Sequence, residues 1–104
     1  MKAMLMATYT PAGLKGLMSG SDRKAAVEAS LSQVGATLIN VEFTRGVWDV
    51  LVTAEFPDGN SLIGTTMAFE SSGAFEATDY LEIIDLPDVV TAANKAAGSY
   101  TPAG

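Results

Sequence analysis

Asp49 is the residue with the most chemistry to account for. It follows Gly46-Val47-Trp48, where a glycine turn leads straight into an apolar strand. A carboxylate where the alternation calls for an aliphatic side chain is costly if left dry and unpaired, so Asp49 requires a partner, water or a ligand. In an apolar pocket it could act as a base, or bind a cationic or hydroxylic ligand. A structural role competes with this and is the commoner outcome. Asp49 would then pair with Arg45 or Arg23, or accept backbone N–H groups near the turn.

Three further side chains are candidates for a ligand site beside Asp49. Trp48, the single tryptophan, offers a face for stacking on a planar ligand, although a lone strand tryptophan more often packs in a core. Tyr9, at the end of the opening strand, could turn its hydroxyl into a pocket, or rest at the core edge with its tip in water. Arg23, with Lys15 nearby, could hold an anion, against the default of a solvated surface charge. Asp79, Glu82 and Asp85 are hard oxygen donors of the kind Ca²⁺ or Mg²⁺ prefers. Their spacing fits no cation loop and reads better as an acidic strand edge that discourages pairing, so no metal site is assigned. The segment Gly13–Gly20 lacks the G-x-x-x-x-G-K-[ST] register of a phosphate loop.

Composition excludes most other designs. The chain has 104 residues and neither His nor Cys, so Cys/His zinc sites, thiol nucleophiles and Ser-His-Asp triads cannot form within it. Six Lys and Arg against twelve Asp and Glu give a net charge of −6. With no basic stripe, neither a nucleic-acid backbone nor an anionic membrane surface is an expected partner. The apolar run after Lys2 is too short for a signal peptide, and no stretch nears the ~20 residues of a membrane span. A cytoplasmic protein without a cofactor is the expectation.

Eight segments, four strands and four helical pieces, must position these candidates. Lys2–Tyr9 reads as a strand, with Thr10-Pro11 as cap and first residue of a short helical piece to Met18. Ser21 is the expected cap of the next helix, with Asp22 in its first turn, Val27, Leu31 and Val34 along one face, and Gly35 as its stop. Residues 36–43 and 47–56 form two strands joined by a tight connection at Thr44-Arg45-Gly46. Asp58 or Asn60 caps a helix through Leu62, Ile63, Met67 and Phe69. A fourth strand spans Ala74–Ile84, and Pro87 opens a final helix from Asp88 to about Ala97. The order is βαββαβ with an extra C-terminal helix, an α+β, ferredoxin-like fold with a four-stranded antiparallel sheet. One domain covers residues 1–97, and 98–104 form a tail. The five residues Tyr9–Gly13 recur at Tyr100–Gly104, too short a repeat to encode a fold unit.

In this arrangement Trp48, Val50, Val52, Ala54 and Phe56 face the helices, and Asp49, Leu51, Thr53 and Glu55 face away. The outward face should be polar in a monomer, yet it also receives Met4 and Met6, and the fourth strand ends in Ile83-Ile84. With 48% hydrophobic and 17% charged residues, the chain carries more apolar material than one small subunit needs. A homodimer with facing sheets, enclosing a barrel-like cavity, would cover it.

The strand–turn–strand around Gly46-Val47-Trp48-Asp49 resembles the GYD-domain family, named for a glycine–tyrosine–aspartate motif at this turn. The resemblance extends to Tyr9-Thr10 with Gly13, the Ser21–Gly35 helix, Glu55–Asp58 and the closing Tyr100–Gly104. The chain departs at the signature, with Trp48 in place of the usual tyrosine and Val47 inserted after the glycine, so any role of a tyrosine hydroxyl there is absent. The resemblance implies a ferredoxin-like relative of the dimeric α/β barrels and no particular activity. The function expected is therefore a homo-oligomer that binds a small organic ligand between sheet and helices or within the dimer barrel. The alternatives are a cofactor-independent enzyme of monooxygenase or isomerase type using Asp49, with Tyr9 or Arg23 polarising an oxygen, and a structural or partner-binding module.

Overall fold

The computed structural model describes residues 1–103; the last residue of the expected tail, Gly104, lies outside them. Strand β1 (Lys2–Tyr9) runs into a short helix α1 (Pro11–Met18) and then helix α2 (Arg23–Gln33). Strands β2 (Thr37–Phe43) and β3 (Val50–Glu55), helix α3 (Gly59–Ser71), strand β4 (Phe75–Ile83) and helix α4 (Leu86–Ser99) follow. The strands form one antiparallel sheet in the order β2-β3-β1-β4, which places the first strand in the centre between β3 and β4. This is the ferredoxin-like βαββαβ with an added C-terminal helix.

Local signals explain the boundaries. Thr10 caps α1 by accepting the Gly13 N–H at 3.1 Å, with Pro11 in the first turn, where its missing N–H costs nothing. Helix α2 is capped by Asp22, whose carboxylate accepts the Ala25 N–H at 3.0 Å. The expected cap, Ser21, instead lends its hydroxyl oxygen to the Arg23 guanidinium. At the other end Ala36 N–H reaches back to the Leu31 carbonyl and Gly35 N–H to Ser32. This closure needs Gly35 at φ +74°, a left-handed conformation that glycine adopts without strain. Asp58 caps α3 through Ser61 N–H at 2.8 Å.

The core lies on one face of the sheet. Register aligns Ala3, Leu5 and Ala7 of β1 with Ala54, Val52 and Val50 of β3, and all six are buried. Val27 and Leu31 of α2 and Leu62 of α3 close over them, with Phe56 just beyond β3. Burying each such side chain contributes about 1.5–3 kcal/mol.

Two elements differ from the sequence reading. Strand β3 begins at Val50 rather than Val47: residues 45–49 form a loop in which Val47 is exposed and Trp48 half-buried. Gly46, at φ +140°, breaks the extended conformation there, and the Thr44 hydroxyl and Thr8 hydroxyl take the Trp48 and Val47 carbonyls. Trp48 is therefore a loop residue and not part of the helix-facing strand row. Helix α4 is two residues longer at each end than expected, taking Gly98 and Ser99 from the tail. Among the described residues no helix is long and apolar enough to cross a membrane.

Candidate functional site

Asp49 is buried, at 5% exposure, although Arg45, Gly46 and Val47 in the same loop are exposed. Its backbone N–H donates to the Ala7 carbonyl at 2.9 Å, continuing the β1–β3 ladder past its formal end. Its side chain turns inward to the end of β1. Oδ2 accepts the Tyr9 N–H at 3.0 Å, and Oδ1 accepts from Arg45 Nη1 at 2.9 Å. Arg45 is itself mostly exposed, so the pair sits at the boundary of the interior, with the carboxylate inside and the cation outside. Both carboxylate oxygens are thus engaged by the protein. Asp49 does not share the outer sheet face with Leu51, because the loop turns it before β3 begins.

The hydrogen bond to Asp49 fixes the end of β1 and with it Tyr9, which is 4% exposed and stacks on Phe75 of β4 with ring centroids 4.9 Å apart. Phe69 of α3 also packs on Phe75, tilted, with centroids at 5.6 Å. Burial pushes the Tyr9 phenol above its ordinary value of 10.0. The Arg23 charge pulls the other way, and Asp49 adds to the rise. The charges of Arg23 and Asp49 therefore both reach the Tyr9 phenol.

Tyr9 and Arg23 share a cleft. Together with Val27, Phe69, Ser72 and Phe75 they line a hollow of about 320 Å³ between α2 and the α3–β4 junction. A second hollow of about 250 Å³ adjoins it, sharing Tyr9, Arg23, Ser72 and Ala74 and extending under α1 past Gly13 and Gly16. Gly13 is needed there, since a Cβ at that position would lie 2.4 Å from the Ala74 carbonyl oxygen and 2.9 Å from the Tyr9 ring. The walls are tied together where Thr10 N–H donates to the Ala74 carbonyl and the Thr10 hydroxyl to that of Gly73.

Arg23 is the charged member of this cleft. Its Nη2 donates to the Ser21 hydroxyl, while its Nε is buried with no partner. A guanidinium N–H without an acceptor is uncommon in a settled interior and calls for an anion or water. The arrangement offers one fixed cation beside three aromatic rings, which suits a planar ligand with a carboxylate or comparable anionic group.

The space between sheet and helices, one of the two expected ligand locations, is well filled. The void there, bounded by Leu5, Val27, Val50, Val52 and Phe75, amounts to about 10 Å³, the scale of a single water. Trp48 is not a lining residue of the Tyr9–Arg23 cleft, and Lys15 points to solvent. The sequence candidates thus separate into Tyr9 and Arg23 at the cleft, Asp49 behind them as a support, and Trp48 apart. Phe69, Phe75 and Ser72 complete the cleft and were not singled out from the sequence. Phe69 was legible only as a helix-face residue, and nothing local marks the other two. Asp79 and Glu82 point to opposite sheet faces, and among the described residues no group of three acidic side chains converges on a cation position.

The GYD-domain family model matches residues 4–78. Among solved structures, a similar chain is the 5-chloro-2-hydroxyhydroquinone dehydrochlorinase of Burkholderia phenoliruptrix, in complex with 2,5-dihydroxybenzoquinone. It aligns with a TM-score of 0.54 at 18% identity, covering 81% of this chain and 94% of that one. At that identity the likeness speaks for the fold alone. No curated protein matches.

Proposed function

We propose, from the premise that this chain belongs to the GYD-domain family, that it is a homo-oligomeric binding protein for small aromatic acids, held in the Tyr9–Arg23 cleft. The observation that carries this reading is the buried, unpartnered Nε of Arg23 in a cleft walled by Tyr9, Phe69 and Phe75. A carboxylate would accept from Arg23, and the ring would lie against Phe75 and Phe69. A charge-assisted hydrogen bond of this kind contributes about 1.5–3 kcal/mol. The rest of the affinity comes from apolar contact. The oligomer is proposed because the outer sheet face leaves Leu81 and Ile83 exposed beside Met4 and Leu51.

Thermal denaturation in the presence of benzoate, hydroxybenzoates and 2,5-dihydroxybenzoquinone, with benzamide as the neutral control, tests the reading. A ligand at 100-fold its Kd stabilises the native state by about 2.7 kcal/mol, a rise of several degrees in Tm. Stabilisation by the acids and not by benzamide is the expected result. Equal response to both, or to neither, removes Arg23 as the recognition element.

A reaction with Asp49 as general base has less support. Its oxygens are held by Arg45 and the Tyr9 N–H, and it lies behind the cleft rather than in it.

A further inference from the structure

Helices α2 and α3 cover the same face of the sheet without packing closely on each other. Helix α2 associates chiefly with β2 and α3 with β4, and these are the two edge strands of the order β2-β3-β1-β4. Three strand spacings put the edges about 14 Å apart, whereas helices in direct contact lie about 8–10 Å apart. The side chains that border the gap are mostly too short to close it. They include Ala26 and Ser30 on α2, and Gly64, Thr65 and Ala68 on α3.

This gap continues the Tyr9–Arg23 cleft. Past the cleft it opens into a further hollow of about 270 Å³ along the α2–α3 seam, and Ser30 and Phe69 line both spaces. Val34, Ala68 and Phe69 make the seam apolar, and a Cβ at Gly64 would meet nothing within 4 Å. The Thr65 hydroxyl is already engaged, donating to the Ser61 carbonyl at 2.7 Å, and Ser30 and Gln33 are exposed at the rim. Among the described residues that line the seam, none is charged. The hollow on the opposite side of the cleft, under α1, is the polar one, with the Ser21 and Ser72 side chains and the glycine backbone around it. Ligand pockets hold about 300–1,000 Å³, so the cleft by itself sits at the lower limit and the seam extends it.

We infer that the seam is a tail channel, so that the aromatic acid held at Arg23 carries an aliphatic chain lying between α2 and α3. The inference rests on the binding function proposed above and names the class within it, an alkyl-substituted aromatic acid. The carboxylate meets the buried, unpartnered Nε of Arg23, the ring lies against Phe75 and Phe69, and the chain passes Ser30 toward Val34. Helix α2 sets this direction. Arg23 is its first residue and Val34 its C-cap, which at 1.5 Å per residue separates cation and channel end by about 16 Å. The chain therefore leaves the ring opposite the carboxylate.

Titration calorimetry of the full chain with benzoate and with 4-methyl-, 4-propyl- and 4-pentylbenzoate tests the channel. Affinity is expected to rise about fourfold for each methylene buried. Ala68→Phe and Gly64→Leu fill the seam, and in both the rise is expected to vanish while benzoate binds as before. Both positions are exposed, and leucine is a far better helix former than glycine, so Gly64→Leu keeps the test sound if Ala68→Phe misfolds. Benzoate binding with no gain along the series overturns the channel and leaves the cleft reading standing. A gain that persists in both variants puts the chain elsewhere and also overturns the channel. If neither benzoate nor any alkylbenzoate binds, both readings fall. The matching 4-alkylbenzamides are expected to bind roughly tenfold more weakly than the acids. Equal binding overturns the anchor at Arg23 and with it the ligand class.

Discussion

Asp49 and Tyr9 are joined across the sheet by one buried hydrogen bond, the carboxylate Oδ2 accepting the Tyr9 backbone N–H at 3.0 Å. The bond fixes the residue whose ring floors the cleft. Removing the acceptor leaves a buried N–H unsatisfied, which costs about 1–3 kcal/mol. Asp49→Ala is expected to lose stability in that range in urea unfolding. Asp49→Asn, which retains an acceptor for Tyr9 but not the charge facing Arg45, should lose less. Arg45→Ala should lose least, since that side chain is 73% exposed.

Arg23→Met keeps the apolar stem and removes the guanidinium. Binding of benzoate by titration calorimetry is expected to weaken about 10- to 100-fold, the equivalent of one charge-assisted bond, with unfolding little changed. Binding that survives Arg23→Met would place the ligand elsewhere.

The pH dependence of stability should show Tyr9 on the alkaline side. Its folded-state value is raised, chiefly by burial. Below about pH 10 the phenol is protonated in both states and its contribution is complete. Above that, the unfolded chain releases a proton that the folded chain keeps, so stability falls as pH rises toward the folded value. Tyr9→Phe should flatten that limb of a denaturation series. On the acid side, Asp58 is held below its ordinary 3.8 by the Ser61 N–H and hydroxyl. Its contribution is present above about pH 4 and lost as pH falls through the folded value. Asp58→Ala should remove that acid limb while lowering Tm at neutral pH.

Gly13→Ala introduces a methyl group against the Ala74 carbonyl and the Tyr9 ring. The backbone atom cannot move cheaply, so a loss of about 1–3 kcal/mol is expected. Gly16→Ala, where nothing lies within 4 Å of the added carbon, should be neutral or stabilising. Comparing the two separates a steric cost from a general effect of glycine.

The elements were legible because their punctuation is local. Thr10-Pro11, Gly35 and Asp58 act within one turn of themselves, and the alternation of Val50, Val52, Ala54 and Phe56 reports a buried face directly. Trp48 was misplaced because an apolar pattern continues back through Val47, while the turn geometry that ends the strand depends on Thr8 and Thr44 taking two loop carbonyls. Asp49 was legible as an anomaly, and Arg45 was among its named partners. The bond to Tyr9 was out of reach, since it joins residues forty apart in sequence. The cleft was only partly readable for the same reason: Tyr9 and Arg23 are chemically conspicuous, whereas Phe75 and Ser72 matter only through the pairing of β4 with β1.

That pairing also sets a timetable. Strand β1 is made first and sits at the centre of the sheet, yet one of its two flanks waits for β4, with Lys2 opposite Ile83. At about 5–20 residues added per second, several seconds pass between the emergence of the two strands. Through that interval the uncharged stretch Ala3–Ala7 has an open flank, the kind of segment through which nascent chains associate. The β2–β3 hairpin is local and available sooner, so it can shield one side of β1. The other side stays unprotected until the ribosome has delivered β4, which makes the rate of translation across α3 a determinant of how much of this protein reaches its native form.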